Sequence, residues 1–255
     1  MNKKTLSEVC KAVKNLPYYP IKYDGKNIEN EDHYFNVHQR RYVHAFERLK
    51  KTINSNDVVL DIGGEPGHIT NIIKSHCSQN VSVLGLWQDE IITARFKELA
   101  IDAYSCDLDK ELFPFEDSSC DVITMFEVIE HMTNVPKILN EINRILKPGG
   151  KLIISTPNAV KFKNRIKTLL GRGIGWPEVD KNKAGSGNGF FDLPFYARHY
   201  KEYTESELHY LFSEAGFKEH EFVFKNSYAR KVAQAISFIF PRLSDTLFYT
   251  GVKGR

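Results

Sequence analysis

The chain has 255 residues, 42% hydrophobic and 26% charged, the balance of a soluble globular protein built as one large domain or one domain with a small appendage. With 35 basic against 32 acidic residues the net charge is only +3, too even for electrostatics alone to argue for a nucleic-acid partner. The four scattered cysteines form no C-x-x-C pair and read as reduced thiols; no stretch approaches the roughly 18 apolar residues of a membrane span, and Ser7, Glu8 and Lys11 interrupt any signal peptide, so a soluble cytoplasmic protein is expected.

Residues 1–30 are broken by Pro17, Pro20 and Gly25 and predict a short helix followed by an extended arm. From about Glu31 to Ile53 the spacing of Phe35, Val43, Phe46, Leu49 and Ile53, with no Gly or Pro, predicts an amphipathic helix. Strands then alternate with helices. Strands are expected at Asp57–Asp61, Val81–Leu86, Ile101–Cys106, Asp121–Phe126 and Lys151–Ser155, and helices at Ile69–His76, Glu90–Ala100 and Val135–Leu146. After a basic and glycine-rich stretch, Thr204–Ala215 predicts a helix with Thr204 as N-cap, Glu207 at the capping-box position and Gly216 as C-cap. Phe217–Phe224 and Thr246–Lys253 are candidate closing strands. The alternation implies an α/β fold: a Rossmann-like, doubly wound, mostly parallel seven-stranded sheet with helices on both faces. Ligands of such sheets bind beyond the carboxyl ends of the strands. Residues 1–54 are expected to form a helical arm and cap. Residues 55–255 are expected to form the main domain, with a lid-like insertion at about 160–200.

VLDIGGEPGHIT, residues 59–70, reads as a strand, a tight turn and a helix start. Gly63 and Gly67 allow close backbone approach, and the helix N-terminus presents free N–H groups. The dinucleotide fingerprint G-x-G-x-x-G is not met at any register, and Glu65 would repel a pyrophosphate. A ligand carrying a sulfonium and an α-amino group tolerates that carboxylate better. The alternative is a plain turn with no ligand, which leaves Asp61 at the strand end unexplained.

This stretch resembles the first motif of class I S-adenosylmethionine (SAM)-dependent methyltransferases. The likeness continues at SCDLD (105–109), DVITMFEVIEHMTNVPKILNEINRILKPGGKLIISTPN (121–158) and HYKEYTESELHYLFSEAGF (199–217), covering roughly residues 35–225. It is nearest to ubiquinone-biosynthesis O-methyltransferases and methyltransferases of surface-polysaccharide gene clusters. The resemblance implies that Asp61, Gly63, Glu65 and Gly67 surround the methionine part of SAM. It places Asp107 and Leu108 at the adenine, with Phe126 completing the set. Two departures stand out: Glu65 replaces the family's middle glycine, and Trp87 falls where relatives carry the acid that grips the ribose. Asp89 or Glu90 could take that role by a local shift, or Trp87 could pack on the nucleoside.

FEVIEHM places Glu127, Glu130 and His131 just past the fourth strand. If a helical turn starts there, positions i, i+3 and i+4 share a face and form half of a divalent-metal site suited to Mg, Mn, Fe or Zn. The same E-x-x-E-H pattern resembles the metal site of small-RNA 2′-O-methyltransferases, in which the matching segment here would add His199. Two other readings stay open: His131 as a metal-free general base with Glu130 beside it, and the glutamates as helix caps. An alcohol or phenol acceptor needs such a base or a metal, so O-methylation is favoured.

The acceptor class is a small molecule, a sugar or a lipid-linked precursor. RNA and a non-catalytic SAM-binding role are the rivals. In the 160–200 insertion, Trp176, Phe190, Phe191 and Phe195 could wall the acceptor, and Lys161, Lys163, Arg165, Lys167 and Arg172 could meet a phosphate. Val232–Leu247 is apolar with basic neighbours and is read as a packing helix before a peripheral membrane contact. The sequence leaves the oligomeric state open.

Overall fold

The computed structural model describes residues 3–14, 16, 21–23, 26–28, 31–87, 90–174, 199–228 and 231–254. Asp89 and the expected wall of Trp176, Phe190, Phe191 and Phe195 lie outside them. Helix α1 (Lys3–Lys14) leads to a small antiparallel ribbon, β1 (Ile21–Tyr23) with β2 (Lys26–Ile28), and then to α2 (Glu31–Thr52). The alternating unit follows: β3 (Val59–Ile62), α3 (His68–His76), β4 (Val81–Gly85), α4 (Glu90–Glu98), β5 (Asp102–Ser105), β6 (Cys120–Phe126), α5 (Val135–Ile145) and β7 (Leu146–Pro157). Helices α6 (Phe162–Leu169) and α7 (Glu205–Glu214), β8 (Phe217–Lys225), α8 (Lys231–Ile239) and β9 (Thr246–Lys253) complete the chain.

Seven strands form one sheet in the order β5-β4-β3-β6-β7-β9-β8. The pairs from β5 to β7 are parallel, and β9 is antiparallel to both β7 and β8. Side chains alternate between two cores because the strand period is two. Leu60, Ile62, Ile123, Met125, Leu152 and Ile154 face a core closed by α5 and α7. Val59, Val83, Val122 and Ile153 face a second core closed by α1, α2, α3 and α4. The N-terminal helices are part of that second core: Val9, Val13, Phe35, Val43, Phe46 and Leu49 are buried against it. Among the described residues no helix is long and apolar enough to cross a membrane.

Two strands and the exposure of one helix depart clearly from expectation. The first sheet strand begins at Val59 because the Asp57 carboxylate accepts the Asn54 N–H at 2.8 Å and holds a turn. The strand expected at Lys151–Ser155 runs from Leu146 to Pro157. Its LKPGG start pairs Leu146 with Cys120 across a register shift, and its far half pairs with β9. Lys147 fixes that start through Asp121 at 2.7 Å, and Gly149 takes a left-handed φ of 79° that favours glycine. Helix α8 is not buried in the manner of a packing helix: Val232, Phe238 and Ile239 point to solvent. The capping box does form, with Thr204 Oγ1 accepting the Glu207 N–H and the Glu207 carboxylate accepting the Thr204 N–H.

Candidate active site

The loop after β3 is set by one buried carboxylate. Asp61 is 2% exposed and accepts hydroxyl hydrogens from Thr124 on β6 at 2.7 Å and Thr70 on α3 at 2.6 Å. Burial pushes its pKa up to about 6, although both hydroxyls pull the other way. The carboxylate thereby ties the start of α3 to two strands. Gly63 has φ 71°, and a Cβ there would lie 2.3 Å from a Val128 methyl, so only glycine fits. Gly67 precedes α3 with φ 99°. These residues line a cleft shared with Glu65, Phe126 and the α2 side chains Arg41 and Tyr42.

The sequence reading missed the α2 contribution. The Arg41 guanidinium lies 3.4 Å from the Glu127 carboxylate and over the rings of Tyr42 and Tyr228, at 5.5 and 5.9 Å. The Tyr42 hydroxyl and His68 Nδ1 are hydrogen-bonded at 2.9 Å. Burial, then the nearby Arg41 and His68, drive the His38 pKa down to about 2, so this ring is neutral, and its Nδ1 is 2.7 Å from the Tyr228 hydroxyl. The sequence offers little clue, since Arg41 follows His38, Gln39 and Arg40 and reads as part of the polar stripe of an amphipathic helix.

Past β6 the chain turns sharply. Glu127 has φ 56°, and a single 3-10 turn begins only at Ile129 and ends at His131. The expected shared face of Glu127, Glu130 and His131 is therefore corrected. Glu127 accepts the Ser155 hydroxyl at 2.7 Å and faces Arg41, apart from the other two. Glu130, His131 and His199 do come together, each offering a ligand atom within 4.8 Å of the others. The two imidazoles meet edge to face with centroids 4.5 Å apart. His199 is held there because the Tyr200 N–H donates to the Glu130 carbonyl at 2.8 Å. Glu130 is 1% exposed; one carboxylate oxygen accepts the Thr156 hydroxyl at 3.0 Å, and Oε1 has no hydrogen-bond partner among the described residues. Burial, reinforced by the Glu127 charge, holds the Glu130 carboxyl well above the usual range, and burial lowers the His199 pKa. An orphaned carboxylate oxygen beside two imidazoles fits a divalent cation.

At the other end of the cleft, Asp107 accepts from Lys110 Nζ at 2.8 Å and from the Asp109 N–H, and the Lys110 contact holds its pKa below the ordinary value. The Leu108 side chain is buried in the α5 core. Trp87 folds back over β4: a Cβ on Gly85 would lie 2.7 Å from its ring, whose centroid is 5.5 Å from that of Phe96.

A family model described as a methyltransferase domain matches residues 34–221. The chain belongs to that family, the SAM-dependent methyltransferases. It is 28% identical over 193 residues, 75% of its length, to a protein of Mycolicibacterium smegmatis called a probable S-adenosylmethionine-dependent methyltransferase. It is 28% identical over 213 residues, 78% of its length, to the sterol 4-C-methyltransferase strm-1 of Caenorhabditis elegans. These matches span 62% and 61% of the two relatives, so the chain covers about three fifths of their length. Among solved structures, a SAM-dependent methyltransferase of Thermotoga maritima superposes with a TM-score of 0.58 at 19% identity, covering 87% of this chain and 93% of that one.

Trp87 stands just past the carboxyl end of β4, the edge of the sheet at which ligands of such folds bind. Its indole Nε1 is buried without a partner among the described residues, and the ring is only partly covered. SAM packed on that ring should change its emission. With Trp176, the only other tryptophan, replaced by Phe, a saturable fluorescence change on SAM addition is expected. A silent titration at SAM concentrations that stabilise the protein would move the nucleoside away from Trp87.

Proposed function

We propose that this methyltransferase carries the SAM methyl group to a hydroxyl oxygen on a small-molecule, sugar or lipid-linked acceptor. The reading rests on the Glu130, His131 and His199 cluster at the ligand edge of the sheet. SAM carries its own leaving group, so the chain must align a nucleophile and remove its proton. A carbon or sulfur acceptor has less need of such a cluster.

The donor fits the cleft after β3. Its positive sulfonium and amino groups would lie near Asp61, and its carboxylate would find Arg41, a cation that also pairs with Glu127 at 3.4 Å. The cluster then faces the methyl group. Glu130, His131 and His199 would hold a divalent ion of the Mg, Mn, Fe or Zn kind, which when bound supplies positive charge that lowers the acceptor hydroxyl pKa. Thr156 fixes one Glu130 oxygen and leaves the other as an acceptor with no hydrogen-bond partner among the described residues. With no ion held, His131 is the alternative base for the hydroxyl proton.

Incubation with SAM and a panel of phenols, sugar nucleotides and lipid-linked sugars tests this by mass spectrometry of S-adenosylhomocysteine and product. The expected product is a methyl ether. Glu130→Gln should lower turnover by about 10²-fold or more, the usual size of acid–base assistance, with the KM for SAM unchanged. A carbon-methylated product formed equally well by Glu130→Gln would sink the reading.

A further inference from the structure

Helices α6 and α8 touch, and large apolar side chains are exposed at the C-terminal end of each. Leu169 and Leu170 at the end of α6 are 81% and 65% exposed. Phe238, Ile239 and Phe240 at the end of α8 are 89%, 70% and 60% exposed, with Val232 at 71% one face further back. Ser237 marks the inner side of α8, buried with its hydroxyl donating to the Ala233 carbonyl at 2.6 Å. Large apolar side chains at such exposure, at the ends of two helices that touch, signal an interaction surface and not a core.

The two segments that carry this face hold charge of one sign. Residues 159–174 contain five basic side chains and no acid, and residues 231–243 contain two basic side chains and no acid. Lys161 and Arg242 are bound to Glu202 and Glu205, but Arg165 and Arg172 are exposed on α6 and just beyond it. Projecting Leu, Ile and Phe side chains on two basic segments that contain no acid of their own match the interfacial region of a bilayer. There apolar tips enter the acyl boundary and cations meet anionic headgroups.

We propose that the α6–α8 face docks on an anionic lipid membrane. The face adjoins the reaction edge. The Lys161–Glu202 ion pair, at 2.7 Å, and the Asn158–Tyr203 bridge join the start of α6 to the segment that carries His199. Docking would bring that edge to the headgroup layer, where a lipid-linked hydroxyl would be presented; this last consequence rests on the hydroxyl-acceptor reading, whereas docking itself does not.

Flotation of the full chain with vesicles tests docking without donor or acceptor. Binding is expected to vesicles of phosphatidylcholine mixed with phosphatidylglycerol, to be weaker with phosphatidylcholine alone, and to fall as salt rises. Arg165→Gln and Arg172→Gln should each weaken partitioning about fivefold. Phe238→Ser combined with Phe240→Ser should weaken it at least about tenfold. All four positions are exposed, so melting temperature and SAM binding should stay at wild-type values. Wild-type protein that remains unbound on anionic vesicles would overturn the proposal. A concentration-dependent dimer, dissolved by the Phe238→Ser and Phe240→Ser pair in sedimentation velocity and with no vesicle binding, would overturn it in favour of a second copy of the chain.

Discussion

Asp61→Asn is expected to weaken SAM binding by at least tenfold while leaving the ligand-free protein as stable as the wild type, or more so, above pH 6. The Asp61 carboxylate is almost fully buried, and desolvation raises its pKa from 3.8 to about 6. A carboxyl raised in the folded state binds its proton more tightly there than in the unfolded chain. Its contribution to stability is therefore fully present below pH 4 and is lost as pH rises through about 6. The difference of about two units corresponds to roughly 3 kcal/mol as an upper bound. Asparagine keeps hydrogen-bonding groups for Thr70 and Thr124 and removes that cost. A residue that destabilises the empty fold is retained for what it binds, and a cation is what a buried carboxylate offers to bind. Thermal-shift titration at pH 7.5 reads both quantities at once. SAM should stabilise the wild type and barely shift Asp61→Asn, and NAD should shift neither. An Asp61→Asn protein that binds SAM with wild-type affinity would reduce Asp61 to a structural tie between α3 and β6.

Much of the fold was legible because both periods are strong in this chain. Thr246–Lys253 was read to the residue: it is a short, mostly apolar run buried on both faces, with Leu247 and Tyr249 in one core and Phe248 in the other. The Thr204–Glu207 box was legible because capping is local. What escaped was long-range or depended on a single dihedral angle. Thr124 is 63 residues from Asp61 and looks like any strand threonine until the sheet pairs β3 with β6. Arg41 lies on a helix that reads as amphipathic, and only the packing of α2 over the cleft turns its side chain inward. A helical reading of FEVIEHM put Glu127 with Glu130 and His131; one positive φ at Glu127 moves it to Arg41 instead. The apolar run after Val232 resembles a core helix by composition, and burial alone separates a buried face from an exposed one.

Extended dialysis against a chelator is expected to reduce methyl transfer by about 10²-fold or more while leaving SAM affinity nearly unchanged. The proposed donor residues and the cluster are separate sets: the cleft after β3 is lined by Arg41, Asp61 and Gly63, whereas Glu130, His131 and His199 converge on one another. The buried Glu130 Oε1 lacks a partner among the described residues, and a buried carboxylate oxygen is costly to leave unsatisfied. A cation would satisfy it. Calorimetric titration of the dialysed protein with Mn²⁺ should therefore show one site. Glu130→Gln and His199→Ala should each weaken that site by about 10-fold to 100-fold or more, since even changes behind a ligand reach that size. The same variants should show the turnover defect of chelation and should not add to it. A general-base role for His131 predicts a different pattern: chelator-insensitive turnover, and a loss in His131→Ala that His199→Ala does not reproduce. Thr156→Val separates the readings further, because it frees the second Glu130 oxygen without touching either imidazole. If an ion is held, Mn²⁺ affinity should fall with turnover; if His131 works alone, turnover should be nearly unaffected. Full activity in excess chelator, with no Mn²⁺ heat in the titration, would rule the metal out.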